Sequence, residues 1–284
     1  MEFAALDGRL LRGALSLPEG AAPRGGVLVA GATGVSHRLY AGISEHLAGH
    51  GFATLRFDYR GVGESRQGEA RAERVAMHDW GERDMPGALA HLAERFPGLP
   101  LALLGHSSGG WSAGLMPNLG LLSAMVTVAS QDGYWGHWPW RWRPRVLWFW
   151  YFVMPVTLAL FGHLPRWVLG GEPLPAGVAR EWSRFCRSRD FIRPYARAAA
   201  RGGPTGYERF RGALRAYAVA GDVYAPPPAV ERFLDLYPNA RREFAIFDRR
   251  GALGEHPEHF NVFRPSFRDS LWSDIGEWLG ARLA

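Results

Sequence analysis

The chain has 284 residues, enough for one α/β domain with a substantial core and an insertion. At 47% hydrophobic and 21% charged residues, its composition excludes the disordered, fibrous and low-complexity classes. The net charge is +6, yet the basic residues are all arginines scattered among 27 acids, without the basic tract or motif that nucleic-acid binding requires.

Alternation around residues 9–16 predicts an opening antiparallel hairpin in the first sixteen residues. Val27–Ala30 is a short continuous apolar run of the kind a buried parallel strand shows, and it ends in the glycine-flanked GATG at 31–34. A helix over 38–50, a strand over 52–58, the glycine-rich loop DYRGVGES at 58–65, a helix over 79–95 and a buried strand over 100–104 follow. Ser108–Met116 is expected as a helix and Ala124–Ala129 as a strand. Strands alternating with helices in this way predict parallel βαβ units.

Between 131 and 205 the alternation stops. Six of the twelve tryptophans fall between Trp135 and Trp150, mixed with arginine and proline. The rhythm resumes with a strand over 214–220, a helix from 228, a strand at Glu243–Phe247 and an amphipathic helix over 266–281. The expected division is therefore a core of 1–130 and 206–284 with a cap inserted at 131–205. Within the insertion, residues 146–162 form an uncharged apolar run at the short limit for spanning a bilayer, interrupted by Pro155 and preceded by Arg141, Arg143 and Arg145. It is read as a buried or interfacial segment, able to make weak contact with a membrane surface. The single cysteine, Cys186, leaves no intramolecular disulfide, and MEFAALDGRLLRG lacks the pattern of a secretion signal, so a cytoplasmic location is expected.

Gly105-His106-Ser107-Ser108-Gly109 fits G-x-S-x-G in the setting that motif needs, a buried strand before it and a helix after it. Strand and helix there approach so closely that only glycine fits two residues either side of the serine, whose side chain is lifted clear. A hydroxyl is a poor nucleophile until a base takes its proton, and the base needs an orienting acid. With such an elbow the chain order is serine, acid, histidine. Asp222 follows the 214–220 strand and would share the carboxyl edge of the sheet with Ser107; Asp248, after the last strand, is the competing acid. The loop at 251–265 offers two histidines. His259 leads into the apolar-leaning Phe260-Asn261-Val262-Phe263, whereas His256 stands in a more solvated setting beside Glu255 and Pro257, so His259 is preferred and His256 is the alternative base. The oxyanion of a tetrahedral intermediate would take the Ser108 amide and a second amide from Ala32 or Thr33. No nucleotide-binding glycine pattern and no metal-ligand spacing is present, so neither cofactor nor metal is expected.

With these motifs in view, the chain resembles the α/β-hydrolases, and within them a bacterial group of predicted hydrolases. The resemblance rests on AGATG at 30–34, DYRGVGES at 58–65, GHSSGG at 105–110, DGYWGHWP at 132–139, LGGEPLPAGV at 169–178 and HFNVFR at 259–264, and so covers nearly the whole chain. It implies a mostly parallel twisted sheet with helices on both faces and an aromatic-rich cap, with Ser107 as nucleophile, Asp222 as acid and His259 as base. One departure is Glu258, where such loops often carry glycine before the histidine. The expected activity is hydrolysis of a small apolar ester or thioester through an acyl-enzyme. The alternatives are an acyltransferase or cyclase using the same residues, or a non-catalytic binder on the same fold.

Overall fold

A computed structural model describes residues 1–283. One eight-stranded sheet runs through the molecule, made of β1 (Glu2–Ala4), β2 (Leu10–Ser16), β3 (Gly25–Ala30), β4 (Phe52–Phe57), β5 (Leu101–His106), β6 (Leu122–Val128), β7 (Ala213–Val219) and β8 (Arg241–Phe247). Their order across the sheet is β1-β2-β4-β3-β5-β6-β7-β8. The pairs from β4 through β8 are parallel, and only β1–β2 and β2–β4 are antiparallel.

The central strands need apolar side chains on both faces because helices cover both. Every residue of β3 and β5 is buried. Alternation along β3 shows what each face meets: a Cβ on Gly26 would point at Leu92 of the helix α2 (Met85–Arg95), at 3.1 Å, whereas one on Gly25 would meet Leu283 near the C-terminus, at 3.4 Å. On the first turn of the layer, α1 (Ala41–Gly49) is followed by β4. Helix α3 (Ser108–Ser112) is a short piece finished by one tighter turn at Ala113–Leu115, so it stops just before the expected Met116.

The segment between β6 and β7 is mainly helical, although no alternation of strand and helix can be traced in its sequence. It contains α4 (Arg143–Phe161), α5 (Ala176–Arg187) and α6 (Arg193–Ala199), with a two-residue ladder pairing His163–Leu164 with Leu174–Pro175. Helix α4 runs through Pro155 instead of ending at it. Proline cannot donate to the carbonyl four residues back, and the turn before it widens over Phe149–Val153, where Met154 N donates to Phe149 O five residues earlier. After β7 come α7 (Pro227–Phe233) and, beyond β8, α8 (Ser273–Gly280). The C-terminal helical stretch expected over 266–281 is thus regular only in its second half.

Parallel strands give the sheet one carboxyl edge. The loops after β3, β5, β7 and β8 all leave from it, and these loops carry residues 31–34, Ser107, Asp222 and His259.

Candidate active site

Ser107 occupies the turn between β5 and α3 with φ 51° and ψ −115°, a conformation that side-chain-bearing residues rarely adopt. The turn is held from both sides: Ser107 N donates to Val128 O (3.0 Å), and Gly110 N donates to Ser107 O (3.2 Å). A Cβ on Gly105 would stand 2.7 Å from the Gly110 backbone, and one on Gly109 would overlap the Ala30 carbonyl, so glycine is required at both positions by close approach. The Ser108 amide is the first of α3 and has no acceptor within the helix.

Asp222 lies beyond the end of β7 and is buried. Its Oδ1 accepts from the amides of Tyr224 (2.7 Å) and Ala225 (2.9 Å), which fixes the carboxylate plane, and its Oδ2 accepts from His259 Nδ1 at 2.6 Å. A proton on Nδ1 leaves Nε2 of His259 as an acceptor. The loop bearing His259 is anchored by Val262 and Phe263, both buried, and by Trp272 Nε1 donating to Val262 O at 2.8 Å. His256 points elsewhere: it is exposed and its Nε2 meets Arg250 Nη2 at 2.6 Å. The structure therefore does not bring the alternative base to Ser107. Asp248 is exposed as well, and so is Glu258, which precedes His259.

The amide assigned by sequence to Ala32 is already engaged. Ala32 N donates to Tyr40 Oη (2.8 Å), and that hydroxyl is also hydrogen-bonded to His106 Nδ1 (2.8 Å). The Ala32 N–H expected for the oxyanion is thus held by a protein acceptor, which braces the 31–34 loop. The Thr33 amide has no acceptor among the described residues. Neither Tyr40 nor His106 was singled out in the sequence. His106 is fully buried, with its ring 4.8 Å from that of His259, and burial followed by the neighbouring imidazole holds its pKa well below the ordinary histidine range, so it stays neutral.

Ser107 and His259 stand on the wall of one cavity of about 760 Å³ between the sheet edge and the inserted helices. Its other walls are largely apolar and aromatic, with Trp138, Trp142, Val146, Phe149 and Trp182 from the segment between β6 and β7 and Leu39 from the turn before α1. Two polar atoms on this wall are buried without a partner among the described residues: Thr33 Oγ1 and Gln131 Oε1. Gln131 Nε2 is bonded to Tyr224 O (3.3 Å), which turns its acceptor end free. Cys186 also lines the space, but burial raises its thiol pKa well above normal, which disfavours the reactive thiolate.

Residues 21–155 match the family model described as serine aminopeptidase, S33. No curated protein sequence matches the chain. Among solved structures, a soluble variant of monoglyceride lipase from Saccharomyces cerevisiae, in complex with a substrate analogue, superposes with a TM-score of 0.69 at 15% identity, over 99% of this chain and 96% of that one. Est1E from Butyrivibrio proteoclasticus, with bound ferulic acid, gives 0.62 at 15% identity over 99% and 98%. The monoacylglycerol lipase of Paleococcus ferrophilus gives 0.58 at 14% identity over 96% and 99%. At such identities the likeness is one of architecture, and together with the strand order above it establishes that the chain has the α/β-hydrolase fold.

Proposed function

We propose that the protein is a cofactor-free serine hydrolase acting on an ester or thioester with an apolar acyl or aromatic group. Ser107 Oγ attacks the carbonyl carbon as His259 Nε2 takes its proton. Asp222 holds the resulting imidazolium, and the amides of Ser108 and Thr33 stabilise the oxyanion. Collapse expels the alcohol or thiol, which receives the proton from His259. Water activated by the same imidazole then releases the acid and restores the serine. The observation that carries this reading is the 2.6 Å contact of His259 Nδ1 with a carboxylate pinned by two amides, on a cavity wall shared with a serine on a strained turn. The apolar walls favour an apolar acyl or ring group, and the structural neighbours described as lipases and esterases agree with an ester. The segment between β6 and β7 acts as the lid of this site, since its residues make up the larger part of the cavity wall.

Labelling with a fluorophosphonate tests the proposal. The folded protein is expected to be modified at Ser107 and the Ser107→Ala variant to be unreactive; a folded wild-type protein that takes no label would favour a non-catalytic binder. A series of p-nitrophenyl esters and acyl-CoAs of increasing chain length then reads the acyl preference, and a flat profile would contradict the apolar-pocket assignment.

A further inference from the structure

Helix α4 is long and apolar enough to cross a membrane by length and composition, yet only 22% of its most apolar window is buried. One side packs inward: Trp150 meets Trp182 of α5 at 4.9 Å, Met154 and Leu158 are buried, and Val146 and Phe149 wall the cavity. The other side is open. Trp148, Tyr151, Phe152, Val156 and Leu160, spaced by three, one, four and four residues along one stripe, are all exposed, Leu160 at 73%. Trp167, 67% exposed and edge-on to Phe161 at 5.9 Å, broadens the stripe.

The charge around the stripe has one sign. From 133 to 171 the sequence contains no aspartate or glutamate, while Arg141, Arg143 and Arg145 lie at the N-terminal end of α4. Along its flank, α5 presents Arg180, Arg184 and Arg187 on a groove of about 470 Å³ whose floor is Met154 and Leu158. The one acid of that stretch, Glu181, is buried and taken by His78 and Arg184. Arg187 lies over the Tyr151 ring, 5.2 Å from its centre, with an apolar stem beside the stripe and a charged head at its border.

We infer that this face docks the protein on an anionic lipid surface. An aromatic stripe edged by arginines is the composition of helices that lie in the plane of a bilayer interface, with the rings among the acyl chains and the cations at the lipid phosphates. A second copy of the chain is a poorer occupant, because apposing two such faces would bring two sets of arginines together with no acids between them. Docking by the outer face leaves the inner face of α4 on the cavity, about one helix diameter, ~10 Å, from the lipid.

Flotation of the full-length protein with vesicles tests this without any need for turnover, so its failure is separate from failure of the Ser107 assignment. Vesicles of phosphatidylcholine mixed with phosphatidylglycerol are expected to carry the protein up, roughly tenfold more than phosphatidylcholine alone, with release at high salt. The Leu160→Ser/Trp167→Ser double variant, altered only at exposed positions outside the cavity wall, is expected to lose that binding roughly tenfold while keeping its melting temperature and any hydrolysis of soluble short-chain esters. Absence of binding to either vesicle, equal binding to both, or undiminished binding by the double variant each overturns the inference. A wild-type dimer that the double variant dissociates, with no flotation, assigns the face to a second copy and overturns it too.

Discussion

Replacing Asp222 with asparagine tests the proposed chemistry through a rearrangement that the geometry dictates. The amides of Tyr224 and Ala225 both donate to Oδ1, so the amide oxygen of an asparagine must take that position and its NH2 must take the place of Oδ2. That NH2 then faces His259 Nδ1, 2.6 Å away in the native protein, donor against donor. The clash is relieved when His259 moves its proton to Nε2, which presents N–H instead of a lone pair to Ser107. The base is then in the wrong tautomer, a change that costs about 10⁴ in kcat in serine hydrolases, or about 5 kcal/mol of transition-state stabilisation. Both backbone hydrogen bonds survive, so the fold should hold. Steady-state hydrolysis of a short p-nitrophenyl ester, beside a thermal melt followed by circular dichroism, measures both quantities. An Asp222→Asn variant that melts as the wild type does and keeps activity within tenfold would refute the reasoning.

Three further outcomes are expected. The positive φ of Ser107 is a strain of about 1–3 kcal/mol for any residue with a Cβ, so Ser107→Gly should melt higher than Ser107→Ala, reversing their usual order; equal or lower melting for glycine would show that the turn is not strained. Tyr40→Phe removes the hydroxyl that joins Ala32 N to His106 Nδ1 and leaves two buried polar atoms unpaired, at about 1–3 kcal/mol each. Its melting temperature should fall by several degrees and its kcat should drop with it as the 31–34 loop loosens, whereas an unchanged melt would argue against the brace. The third outcome concerns pH. Glu181 of α5 accepts from the core residue His78 at 2.8 Å and raises its pKa above the ordinary 6.5, the hydrogen bond outweighing the opposing effect of burial. A raised folded-state pKa contributes stability that is complete below the unfolded value and disappears as pH rises through the folded one. The melting-temperature difference between wild type and His78→Gln should therefore be largest at about pH 6 and shrink as the pH rises from there; a difference that grows with rising pH would contradict the assignment.

The sheet was legible because buried parallel strands leave a local mark. Val27–Ala30 and Leu101–Leu104 are continuous apolar runs, and the structure buries every residue of both. The elbow was legible because its glycines answer a steric demand confined to five residues. The insertion was not, for a physical reason: α4 is apolar on its inner face, where it covers the cavity, and apolar on its outer face as well, so no polar side sets a helical period. Pro155 reads locally as a break, and only the widened turn before it lets the helix continue. The Tyr40–His106 contact joins residues 66 apart, and no pattern in the chain announces that its hydroxyl would occupy the Ala32 amide. The preference between the two histidines rests on neighbouring apolar residues, and the geometry that separates them is the burial of Val262 and Phe263 against the exposed pairing of His256 with Arg250.

The most direct test of the central claim is mass spectrometry of the protein quenched during turnover of a p-nitrophenyl ester, with the adduct located by peptide mapping. The account predicts an acyl group on the peptide containing Ser107, absent from Ser107→Ala and formed at least about a hundredfold more slowly in His259→Ala. An adduct on another residue, or one that forms as fast without His259, would contradict it.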